Sequence, residues 1–304
     1  MARSNALAYA AFAVVCIVWG TTYLAIRIAV RAIPPLLLTG ARFTVAGVIL
    51  FAIARSRGDA MPKSRRTIGE LVLVGCLLVC IGNFAVVWAE QWVPSGLAAL
   101  LVATAPFWIA LIERLHSSGD RLDARRAIGM AVGFAGVAML VTPGGAGGAF
   151  DRNFVLGALG IQAGGIAWQY GTFRAKYNLA DVPPLMSSAI QMLSGGIAVT
   201  LLGLAAGETN RLRFASESVM ALAYLTLFGS VLAYTSFVYA LRHMKPTNMS
   251  VYAYINPLVA VILGAVILHE QLTWLSVLAM CIILGAVAVV QTRRMPEPEC
   301  VPEP

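Results

Sequence analysis

Three tryptophans fall in the middle of long apolar runs: Trp19, Trp108 and Trp168. An indole in such a place offers a flat apolar face for stacking and one N–H that needs an acceptor. Polar residues accompany two of them at helical spacing. Trp19, Tyr23 and Arg27 recur at i, i+4 and i+8, and Asn248, Tyr252 and Asn256 repeat that interval. Gln162, Gly165, Gln169 and Thr172 form a stripe beside Trp168, while Asn83, and Ser230 with Tyr234, stand in further apolar runs. A polar stripe on an apolar helix faces protein or water rather than lipid. The chemistry on offer is recognition, by stacking and hydrogen bonding. For any single member, interhelical hydrogen bonding without a ligand is an equal alternative. The candidate substrate-binding residues are Trp19, Tyr23, Asn83, Trp108, Trp168, Gln169, Tyr234, Tyr252 and Asn256.

Reaction chemistry is not apparent. His116, His243 and His269 lie near the ends of apolar runs and far apart, with no His-Glu-x-x-His and no Gly-x-Ser-x-Gly. An enzyme needs a convergent acid/base pair or an activated nucleophile. Cys76 and Cys80 are one helical turn apart without a histidine; with Cys16 and Cys281 they read as small core residues, and Cys300 lies in the tail. Gly144-Gly145-Ala146-Gly147-Gly148 lacks the following Lys-Ser/Thr of a phosphate cradle. The expectation is no enzyme, no metal and no cofactor.

Hydrophobic residues make up 59% of the 304 and charged residues 12%, against about 45–50% and about 25% in soluble domains. Such a chain is an integral membrane protein. A spanning helix needs about 20 mostly apolar residues, and ten candidates run over 6–30, 36–54, 69–90, 95–114, 124–142, 154–175, 184–206, 217–241, 247–268 and 273–292. The first is too long for a signal peptide and is expected to remain in the mature chain.

The net charge of +8 comes from short basic clusters between these runs, which orient a membrane protein rather than bind nucleic acid. With the N-terminus in the cytoplasm, sixteen Lys and Arg fall on the cytoplasmic side. Four fall outside (Arg31, Arg152, Arg211 and Arg213), and Arg27 and Arg42 lie within spans. Both termini are therefore placed in the cytoplasm. Arg27 and Arg42 sit toward the outer ends of their spans, where they can snorkel; Arg27 has the alternative of meeting a substrate carboxylate. No Asp or Glu falls at mid-depth, since Glu70, Glu90, Glu113 and Glu270 all lie near span ends. That leans away from a carboxylate proton relay and toward facilitated movement.

The elements repeat. Trp19 and Pro34-Pro35 are echoed 149 residues later by Trp168 and Pro183-Pro184. Pro94 answers to Pro246, Ala105-Pro106 to Asn256-Pro257, Leu122 to Leu272 and Gly136 to Gly285. Five spans per repeat means the second enters the membrane from the opposite side, so the repeats are inverted and suited to alternating access. The expected architecture is an all-α membrane protein of ten helices, as two inverted five-helix repeats (1–144 and 154–294) around a central cavity. Residues 145–153 form the connecting loop and 295–304 a disordered tail. Pro106 and Pro257 occupy equivalent positions, each removing a backbone hydrogen bond, and are candidate hinges. Asp123 and Thr273 read as helix N-caps.

Ten spans in two repeats, Trp19-Gly20, Pro35 followed by Arg42-Phe43, and the Pro94/Pro246 pair resemble the drug/metabolite transporter superfamily, and within it the EamA-type exporters, over residues 6–293. In character the chain is similar to the YddG-type exporters of aromatic and other neutral amino acids. The resemblance implies a cavity lined by the first, third, fourth, sixth, eighth and ninth spans, with the fifth and tenth as scaffold. The family often has Gly-Glu at the end of the ninth span; this chain has His269-Glu270, with Gly119-Asp120 the nearer form in the first half, and Glu270 stays outside the candidate site. The expected function is export of neutral, mainly aromatic amino acids across a bacterial inner membrane, with less selective drug or metabolite efflux as the alternative. The oligomeric state is open.

Overall fold

The computed structural model describes residues 2–116, 124–140, 142, 144, 150–244, 246–249 and 252–291. Among them there are helices and no strands. We label the long ones α1 (Ala2–Ala29), α2 (Pro35–Ser56), α3 (Arg65–Ala89), α4 (Ser95–Leu115), α5 (Ala124–Leu140), α6 (Arg152–Asn178), α7 (Pro184–Ala205), α8 (Ser216–His243), α9 (Tyr252–Ile267) and α10 (Trp274–Gln291). Six of them (α1 from Ala6, α2, α3, α4, α7 and α8) are long and apolar enough to cross a membrane, and α5, α9 and α10 carry shorter apolar stretches. The 27-residue α6 is long enough but falls short in apolarity, because Gln162, Gln169 and Thr172 are on it and Arg174 and Lys176 end it. Asp120, Asp123, Arg121, Lys245, Arg293, Arg294, the glycines at 145, 147 and 148, and the tail lie outside the described residues.

Local chemistry sets the helix starts. Pro35 and Pro184 open α2 and α7 at positions whose N–H would be unpaired anyway. Ser64 accepts from the Thr67 N–H, Asp151 from Phe154 N–H at 2.7 Å, and Thr273 from Ser276 N–H at 3.0 Å, each a side-chain cap.

Small residues then let helices close up. α2 lies along α7, and a Cβ built on Gly196 would stand 2.5 Å from the Thr44 backbone N. That neighbour is main chain and cannot swing away. Gly196→Ala is therefore expected to cost about 1–3 kcal/mol through overpacking, read as a lower melting temperature in detergent; an unchanged melting temperature would mean the α2–α7 contact is looser than drawn.

Helix pairings come in matched sets. α2 packs on α7 and α5 on α10; α3 packs on α6 as α1 does on α8; α4 packs on α6 as α9 does on α1. Two helices also change winding at matched places. Cys76–Asn83 of α3 and Leu225–Leu232 of α8 are π-helical, 149 residues apart, the interval that separates Trp19 from Trp168. A π turn loosens the i to i−4 ladder and frees carbonyls for other donors.

Candidate functional site

A cavity with about 680 Å³ of empty space, open solvent included, lies between α1, α2, α3, α4, α6 and α9. Seven candidate residues line it: Trp19, Tyr23, Asn83, Trp168, Gln169, Tyr252 and Asn256. The resemblance led us to expect α8 in the wall and not α2. Instead Arg42 of α2 lines the cavity, while α8 stands behind and holds Trp19 and Arg42 in place.

The aromatic side of the cavity is built on Trp19, buried to 9% exposure. It meets Trp168 edge-on with ring centroids 5.5 Å apart, Tyr252 edge-on at 5.1 Å, and Phe237 at 5.2 Å. The Trp19 indole N–H donates to the Gly229 carbonyl at 3.1 Å, within the π turn of α8. Its partner by sequence differs: among the described residues the Trp168 indole N–H, which neighbours the Tyr252 hydroxyl, is buried without a hydrogen bond of good geometry. Asn256, its amide oriented to satisfy its surroundings, donates to Cys16 O at 2.8 Å and Tyr252 O at 3.2 Å.

Two candidates stand back. Tyr234 is 1% exposed, with its hydroxyl donating to Gln191 Oε1 at 2.8 Å, and its ring supports Trp168 from behind at 6.2 Å. Trp108 sits behind Gly165, packs on Phe134 at 5.2 Å and donates to Gln162 Oε1 at 3.1 Å. The Asn248 side chain lies outside the described residues.

Gln162 also repairs a break. α4 is interrupted between Val102 and Ala105, directly before Pro106, and the Leu101 carbonyl accepts from Gln162 Nε2 at 2.9 Å. Thr104 Oγ1 lies 2.9 Å from both Leu101 O and Gln162 Oε1, and its single proton serves one of them. Pro257, by contrast, sits inside an unbroken α9. The two prolines are in different local states.

Arg42 overturns one expectation. It does not snorkel: it is 2% exposed, its Nε donates to Ser230 Oγ at 2.7 Å, its Nη1 to Asn83 Oδ1 at 3.4 Å, and its guanidinium lies 4.6 Å from the Phe43 ring centre. It is the one cation among the described lining residues. Sequence reading missed it because its partners come from α3 and α8, 41 and 188 residues away. Its companion Arg27 donates to the Glu90 carbonyl, as Lys176 donates to the Leu241 and Arg242 carbonyls at 2.7 and 2.8 Å. Each cation covers the carbonyl end of a helix.

Carboxylates from one part of the chain cap helices of another. Glu270 accepts from the Ser95 N–H at 2.9 Å, the Gly96 N–H at 3.2 Å and the Ser95 hydroxyl, at the start of α4. Glu208 accepts from the Leu37 N–H at 3.0 Å, at the start of α2. His269 holds Glu270 in place with φ of +54°, a left-handed value that suits glycine. The Gly-Glu pattern is thus present in geometry although not in letters. Glu270→Ala is expected to leave the first N–H groups of α4 without their acceptor, costing about 1–3 kcal/mol. A fall in melting temperature checks it, with His269→Gly moving the other way.

Glu90 stands at the end of α3, near a span end as the sequence places it, yet it is fully buried, and among the described residues neither carboxyl oxygen has a hydrogen-bond partner. At the opposite end of α3, Glu70 is well served, with Arg174 Nε and Nη2 each 2.6 Å from its oxygens and Asn178 at 2.9 Å.

The cavity and its aromatic pair occur in a chain whose relatives are transporters. The EamA-like transporter family matches it twice, over residues 6–142 and 155–292. The Escherichia coli K12 protein described as "Uncharacterized inner membrane transporter YedA" is 37% identical over 275 residues, 90% of this chain and 87% of its own. The "Uncharacterized transporter YvbV" of Bacillus subtilis is 24% identical over 91% of this chain and 89% of its own. The "Probable terminal-alkyne amino-acid exporter" of Streptantibioticus cattleyicolor is 27% identical over 84% and 83%. One crystal structure shares the fold, with a TM-score of 0.68 at 21% identity, covering 95% of this chain and 97% of the other. The chain belongs to the EamA-like transporter family, whose members are transporters rather than enzymes.

Proposed function

We propose that this protein exports neutral amino acids, aromatic ones preferred, across a bacterial inner membrane by alternating access. One observation carries the reading: a single cavity joins aromatic walls and the Trp168 indole to one buried guanidinium, Arg42. A zwitterion with a flat side chain uses all three. Its carboxylate meets Arg42, its ammonium the amide groups of Asn83 and Gln169, and its ring the Trp19, Trp168, Tyr23 and Tyr252 surfaces, with Asn256 beside them. Trp108 and Tyr234 position that wall from behind. The amino-acid exporter among the relatives agrees with this class.

The transport mechanism rests on the repeat. Ten helices act as two inverted five-helix repeats, 1–144 and 154–294, with both termini cytoplasmic by the distribution of Lys and Arg. The matched helix pairings, the π turns 149 residues apart and the double family match support it. In that orientation the Glu270 end of the bundle is the outer end. The break before Pro106 and the continuous helix at Pro257 are the two states of one hinge, exchanged when the cavity changes sides.

Less selective efflux of flat drugs is the second reading, favoured by the same aromatic walls. Exchange of labelled tryptophan in proteoliposomes, with threonine and a cationic dye as comparison cargoes, separates the two. Saturable tryptophan exchange is expected. Dye movement without amino-acid exchange would transfer the protein to the efflux class.

A further inference from the structure

Glu90 closes α3, and its backbone is fully used: its N–H donates to Val86 O at 3.0 Å and its carbonyl accepts from Arg27. Among the described residues both carboxyl oxygens are buried and without hydrogen-bond partners, whereas Glu70, Glu208 and Glu270 each accept from donors. An ionised carboxylate held so has neither water nor a donor to replace it, and the carbonyl end of α3 repels it further. A neutral carboxylic acid fits the place. The charged and titratable groups that face it are Arg27 and Tyr23 from α1, Arg42 from α2, and Glu270 from the α9–α10 connection. Both cations are engaged elsewhere, Arg27 on the backbone carbonyl and Arg42 on Ser230 and Asn83. Tyr23 and Arg42, which face the carboxyl, also line the cavity.

We propose that Glu90 is a proton-binding site of the transport cycle, occupied while this end of the bundle is closed and emptied when opening brings water and Arg42 to it. On opening, the carboxyl O–H bond breaks, the proton leaves to cavity water, and the electron pair stays on the carboxylate beside the guanidinium. Closing reverses the step. The closed form holds the proton, so raising the pH favours the open form. This holds for any cargo and does not depend on the amino-acid reading.

Infrared spectra of the full chain in lipid nanodiscs, wild type against Glu90→Gln, test it without a cargo. The wild type is expected to show, at neutral pH, a protonated-carboxyl carbonyl band that the variant lacks. Glu90→Gln, isosteric with the neutral acid, is expected to fold and keep the wild-type melting temperature. Identical spectra, or a variant that melts earlier or fails to fold, would mean an ionised Glu90 paired with Arg27 or Arg42 and would overturn the proposal. In vesicles with a transported cargo, exchange should vary with pH in the wild type and not in Glu90→Gln; retained pH dependence in the variant counts equally against it.

Discussion

Trp168→Ala is expected to abolish saturable tryptophan exchange while leaving a folded protein. Trp168 is half-buried where Trp19 is buried, so although it has ring contacts of its own with Trp19, Tyr234 and Phe237, truncating it should cost less stability than truncating Trp19. Trp19→Ala should behave differently. Trp19 holds three ring contacts and the bond to Gly229, and truncating so buried an aromatic costs about 3–5 kcal/mol. Its loss of exchange should come with a lower melting temperature. Trp168→Phe divides stacking from hydrogen bonding: keeping the ring and removing the N–H should weaken apparent affinity by roughly tenfold at most, the worth of one neutral hydrogen bond. Full activity in Trp168→Ala would remove this indole from the site.

Arg42→Gln is the second large effect. A hydrogen bond to a charged group contributes about 1.5–3 kcal/mol, so losing the guanidinium should weaken tryptophan affinity roughly ten- to a hundredfold. Competition by tryptamine, which lacks the carboxylate, should change little. Folding should survive, because a glutamine can still serve Ser230 or Asn83 and a buried charge disappears. Equal losses for tryptophan and tryptamine would make Arg42 a structural residue and leave the cavity without a carboxylate receptor.

How much of this was legible in the sequence follows from what each residue depends on. Trp19 and Trp168 stood out because duplication is written in the letters, and the 149-residue interval recurs in the π turns of α3 and α8. The π turns themselves left no mark, since their apolar residues suit an ordinary helix equally well. Gln169 and Gln162 were visible as one stripe, but that Gln169 lines the cavity while Gln162 repairs the break in α4 is decided by a neighbouring helix. Tyr234 shows the same limit: the spacing placed it on a polar face, and tertiary packing set it one layer behind the cavity, on Gln191.

Arg42 was misjudged because closeness to a span end was read as room to snorkel, whereas its partners on distant helices bury it; the burial of Glu90 at its span end, in the tight connection to Pro94, left no mark in the sequence either. Glu270 was set aside because His269 replaces a glycine, yet its φ of +54° reproduces what the glycine would do.

The most direct test of the central claim is equilibrium binding of labelled tryptophan to the purified wild-type chain. Saturation at one molecule per chain, displaced by other neutral amino acids and weakened in both Trp168→Ala and Arg42→Gln, is the predicted result. No saturable binding by a folded protein, or binding indifferent to both substitutions, would contradict it.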